Sequence, residues 1–165
     1  MNIYGTIVII QAFRKVTYYS VQIEEEDSLF LQFLNDHANE EYQDELDIIR
    51  EWLQRIGDKI GAKEHYFRNE AFRGDARALP PPSKFLELDC NLRLYCMRIN
   101  RYAVVLFNGA EKTAATAQAC DNVRPHFLLA NRLTKVIDSA IIDGEISIDD
   151  DTGELIFDES LLLEL

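Results

Sequence analysis

Four side chains in the middle of this sequence, Arg93, Tyr95, Lys112 and His65, have the chemistry to act on an RNA phosphodiester. Metal-free RNA cleavage needs a base for the 2′-hydroxyl proton, an acid for the leaving oxygen, and cations against the charge that builds on phosphate. Arg93 suits the phosphate because its planar fork grips two oxygens and stays charged. Lys112 would stabilise the same group, or exchange a proton if neighbouring cations depressed its pKa. Tyr95 can stack on a base or serve in acid–base work, and His65, with an unperturbed pKa of about 6.5, is the natural proton carrier. Arg68, Arg73 and Arg98 add cations for substrate binding. The competing reading of Arg93 is structural, an ion pair with Glu87 or Asp89.

Other chemistries lack their usual supports. The chain has no Gly-rich phosphate loop, no HExxH and no GxSxG. Cys90, Cys96 and Cys120 form no CxxC pair and read as buried thiols. Asp149, Asp151 and Gly153 have the wrong order for an EF-hand and read as an acidic hairpin turn. No metal or cofactor is expected.

The elements that must position these residues follow from periodicity. Residues 3–13 and 16–23, rich in Ile, Val, Thr and Tyr, predict a hairpin across Arg14 and Lys15. Ser28 is an N-cap for a short helix reaching about Ala38. Tyr42, Leu46, Ile49, Leu53, Ile56 and Ile60 recur at spacings of 4, 3, 4, 3 and 4, an amphipathic helix with Asp44, Glu45, Asp47 and Glu51 on or beside its polar face. The triplet Pro80-Pro81-Pro82 belongs to a loop. Residues 92–99 and 102–108 predict a second hairpin across Asn100 and Arg101. Alternation puts Arg93, Tyr95 and Met97 on one face of its first strand, with Leu92, Leu94 and Cys96 on the other. Residues 103–107 are apolar throughout, as in a strand covered on both faces. Asp121 or Asn122 caps a last helix through Val123, Phe127, Ala130, Leu133, Ile137 and Ile141. A third hairpin flanks residues 149–153, and an acidic, leucine-rich tail ends the chain.

The 165 residues, 47% hydrophobic, suffice for one domain with a proper core. No apolar run approaches the roughly 20 residues that span a bilayer, so the expectation is a cytoplasmic protein without membrane contact. The net charge of −12 is segregated. Residues 24–64 carry 13 acids against 4 bases, residues 138–165 carry 10 acids and no base, and residues 65–137 carry 11 bases against 6 acids. A basic site on an acidic protein is therefore compatible with the composition.

The order of Leu92-Arg93-Leu94-Tyr95-Cys96, a hydrophobic strand over 104–107, Lys112-Thr113, and a helix bearing Ala130-Asn131-Arg132 resembles the RelE/HigB toxin ribonucleases. The likeness covers roughly residues 65–142. Where that family often has two adjacent lysines this chain has Glu111-Lys112, and residues 71–74 stand in place of a tryptophan-containing strand. The resemblance implies an α+β fold, a small antiparallel sheet packed against N-terminal and C-terminal helices. The opening hairpin would be an addition within a domain of residues 1–144, and residues 145–165 an acidic hairpin and tail. It implies an mRNA interferase of a toxin–antitoxin module, with Arg93, Lys112, Tyr95 and His65 catalytic. Its partners would be mRNA, the ribosome and a cognate antitoxin protein. The alternative is a catalytically inactive binding module that engages a protein partner through its acidic helix and tail.

Overall fold

The computed structural model describes residues 2–69, 75–117 and 119–165. The opening hairpin is present as β1 (Tyr4–Ala12) and β2 (Thr17–Ile23), paired antiparallel. Ser28 caps α1 (Leu29–Asp36), its Oγ accepting the Leu31 N–H at 3.2 Å. The amphipathic stripe forms α2 (Gln43–Arg55), which runs into a π-helical turn, Ile56–Ile60. Two short strands follow, β3 (Arg68–Asn69) and β4 (Arg77–Leu79), and then the central hairpin of β5 (Leu92–Asn100) and β6 (Ala103–Glu111). The last helix, α3 (Arg124–Ile142), starts from Val123 with no side-chain cap, so neither Asp121 nor Asn122 fills that role. β7 (Ile146–Ile148), β8 (Leu155–Phe157) and β9 (Leu163–Glu164) complete the chain.

The sheet corrects the expected fold. Among the described residues it has seven strands in the order β3-β4-β5-β6-β2-β1-β9, and it is mixed, because β2 runs parallel to β6. This is not a small antiparallel sheet with an added hairpin: β1 and β2 lie inside the sheet. The physical reason is that residues 16–21 are buried in succession, so β2 needs a neighbour on each edge and a cover on each face. β6 supplies that edge through the register Thr17↔Ala103 to Ser20↔Leu106. Ser20 fastens the junction, its Oγ donating to the Leu106 carbonyl at 2.6 Å and accepting the Phe30 N–H at 3.1 Å.

Helices cover both faces. Phe30 and Phe33 of α1 and Leu46, Ile49 and Leu53 of α2 pack on Tyr18, Leu92, Leu94, Cys96, Val104 and Leu106. Phe127, Ala130, Leu133 and Ile137 of α3 pack on Tyr19, Val21, Tyr95, Met97, Val105 and Phe107. Consecutive residues of β5 and β6 thus feed opposite cores, which is why residues 103–107 are apolar throughout. The acidic C-terminus is tied in as well. Ile146, Leu155 and Leu163 join the α3 core, and β9 pairs with β1. Among the described residues no helix is long and apolar enough to cross a membrane.

Candidate functional site

The residues singled out for phosphate chemistry are distributed over several environments. Arg93 and Lys112 do lie at one end of the central hairpin, where Leu92 pairs with Glu111 and Arg93 with Ala110. Arg93 is turned inward and only 8% exposed; its guanidinium donates to the carbonyls of Cys90, at 2.6 Å, and Leu92, at 3.2 Å. Tyr95 is fully buried, its ring 5.5 Å from that of Phe127 beneath α3. Lys112 is half-buried, and its backbone N–H donates to the Asn91 carbonyl at 2.8 Å.

The other described candidates lie elsewhere. Arg68 donates to the carbonyls of Pro80, at 2.7 Å, and Pro81, at 2.8 Å, and so pins the proline loop beyond the sheet edge. Arg98 donates to the Ala62 carbonyl and pairs with Glu64 at 3.6 Å. Burial holds its guanidinium below the ordinary arginine range. His65 stacks on Tyr66, at 4.2 Å between centroids, and on Phe85, at 5.9 Å. Arg73 lies outside the described residues. The three cysteines are buried and unbridged, and no metal-holding cluster occurs among the described residues.

A concave surface does exist, on the other side of the molecule from α3. It is a groove of about 520 Å³ between α2 and the loop 85–88, floored by Ile48, Trp52, Phe85 and Leu86, with Leu88 projecting at its rim. Ile48 and Trp52 sit four residues apart, at the margin of the core stripe, Trp52 buried within that core and Ile48 half-buried against it. Sequence reasoning missed this margin because the core stripe explained the helix without it. The rings of Trp52, Tyr66, Phe85 and His65 pack on one another at 4.2 to 5.9 Å, so they are occupied as a cluster. Glu51, Asp58 and Glu87 line the groove with Arg55 and Lys59, and Arg55 lies over the Trp52 ring at 4.8 Å. Asp44, one helical turn before Ile48, is exposed and extends the acidic side along α2.

The groove has a firm base. Glu45 of α2 accepts the backbone N–H groups of Asn91 and Leu92, the latter at 3.2 Å, and so fixes the helix to the start of β5. The geometry offers apolar contact edged by three carboxylates and two cations. Comparison of the chain with protein-family models, curated proteins and solved structures finds no match.

Proposed function

We propose that this chain is a binding protein without catalytic activity, whose α2 groove takes a segment of a partner protein carrying Lys or Arg around an apolar anchor. The observation that carries this reading is the groove itself, where Ile48, Trp52, Leu86 and Leu88 offer an apolar floor and rim, and Glu51, Asp58 and Glu87 outnumber Arg55 and Lys59 at its edge. Basic segments are favoured because 13 acids against 4 bases lie in residues 24–64, the region that supplies the helix. An RNA ligand is disfavoured at this surface, since phosphate would meet these carboxylates and the aromatic rings are engaged with one another. The ribonuclease reading draws no support from Arg93 and Tyr95, both of which are buried.

Titration calorimetry of the full chain tests this, with a Lys- and Leu-containing amphipathic peptide as probe and an acidic counterpart and single-stranded RNA as comparators. The basic peptide is expected to bind saturably and to weaken as salt rises. Leu88→Glu should reduce binding by about tenfold or more. Because Leu88 is 66% exposed, the variant should melt within about 0.5 kcal/mol of the parent. Binding of the RNA in preference to the peptide, or its cleavage, would restore the nuclease reading.

A further inference from the structure

A second concavity lies on the opposite face, between α3 and the strands β4 and β5. Its volume is about 260 Å³, the size of a small metabolite, and its floor is Phe67 and Met97. Two arginines, Arg77 and Arg98, stand on the sheet side, and three carboxylates, Glu64, Asp75 and Asp138, complete the lining with Thr134; Glu64 is paired with Arg98 at 3.6 Å.

Three polar groups in this cleft are poorly matched by the protein itself. Thr134 is only 4% exposed, and its hydroxyl has no hydrogen-bond partner among the described residues. A buried hydroxyl left in that state costs about 1–3 kcal/mol, so a ligand that completed it would gain correspondingly. Arg77 is half-buried, and its guanidinium makes one long bond, 3.4 Å, to the Asp75 carbonyl. No ion pair joins it to Asp75 or Asp138 among the described residues. Asp138, although exposed, is also held above the ordinary carboxylate range, first by partial desolvation and then by the nearby Asp75. With Arg98 paired to Glu64, the cleft is left with Arg77, a cation with no ion pair among the described residues, and two neighbouring carboxylates, Asp75 and Asp138, that raise each other's energy.

We propose that this cleft binds a free zwitterion of α-amino-acid size, its carboxylate on Arg77, its ammonium on Asp75 and Asp138, and its apolar side chain on Met97 and Phe67. The Thr134 hydroxyl would complete the polar contacts. A simple anion would leave the Asp75 and Asp138 carboxylates repelling one another, and a simple cation would leave Arg77 without an ion pair. A zwitterion satisfies both needs at once, and the apolar floor favours a hydrocarbon side chain over a polar one.

Amide chemical shifts of the full chain, followed by NMR during titration with L-leucine and L-methionine, test the assignment. Isopentylamine and 4-methylpentanoate, each carrying half of the charge, serve as comparators. Saturable shifts are expected at Arg77, Met97, Arg98 and Thr134, with each half-ligand at least about tenfold weaker. Arg77→Gln and Asp138→Asn should each weaken binding by about tenfold, and Asp138, being exposed, should leave folding intact when replaced. The assignment fails if neither amino acid gives saturable shifts below about 10 mM. It fails equally if a half-ligand binds as well as the zwitterion, or if the Asp138 variant binds as the parent does.

Discussion

Arg93 shows how far a residue's type can mislead about its task. Its guanidinium holds the Cys90 and Leu92 carbonyls at the start of β5, where the chain enters the sheet. Hydrogen bonds to a charged donor are worth about 1.5–3 kcal/mol, and orphaned carbonyls add to the loss. Arg93→Ala should therefore destabilise the fold by about that amount, read as a lower midpoint in urea. An unchanged midpoint would mean that the guanidinium does no structural task. Nothing in the sequence distinguishes a strand arginine turned to phosphate from one turned to its own loop, because alternation fixes a face but not what covers it. Cys120 carries a different residue-scale signal. Burial would push its thiol up, but the Thr113 hydroxyl and N–H, at 3.5 and 3.3 Å, and the N–H groups of Val123 and Asn122 outweigh this and bring it down to about 7. With the folded value below the unfolded one, the unfolded state binds more protons between them. Stability contributed by the thiolate is thus complete above about pH 9 and lost as pH falls through about 7. Urea midpoints across that window should rise with pH more steeply in the parent than in Cys120→Ala; parallel slopes would contradict the hydrogen-bonded thiolate.

The elements were more legible than their arrangement. The opening hairpin, the helical stripes of α2 and α3, the central hairpin and the acidic hairpin over 146–157 all follow from local periodicity and occur where it places them. The parallel pairing of β2 with β6 joins residues more than eighty positions apart, as in Ser20↔Leu106, and leaves no local pattern. Its trace was the unbroken burial-grade composition of Val16 to Val21, which an exposed added hairpin could not satisfy. The central pair also depends on one small residue. A Cβ on Gly109 would lie 1.7 Å from the Arg93 carbonyl oxygen, a backbone atom that cannot swing aside. Gly109→Ala should cost about 3 kcal/mol or more, the upper range for overpacking, and should be checked by chemical denaturation. A loss under about 0.5 kcal/mol, typical of a surface change, would show that the strands separate at that point with ease.

For the whole molecule, helices cover both faces of a mixed sheet, and the two concavities described above lie on opposite sides of it. Neither was legible in the sequence, since each is lined by residues from segments far apart: 48–59 with 85–88 in one, and 64–98 with 134–138 in the other. The charge segregation was legible, and it supplies the argument for a basic partner at α2. That claim has a built-in reporter, because Trp52 is the sole tryptophan of the chain and borders the groove beneath Arg55. The most direct measurement is therefore the emission of Trp52 as the basic amphipathic peptide is added to the full chain. A saturable shift in emission, reversed by salt and absent in Leu88→Glu, is the predicted result; peptide binding that leaves Trp52 unchanged would contradict the groove as the site.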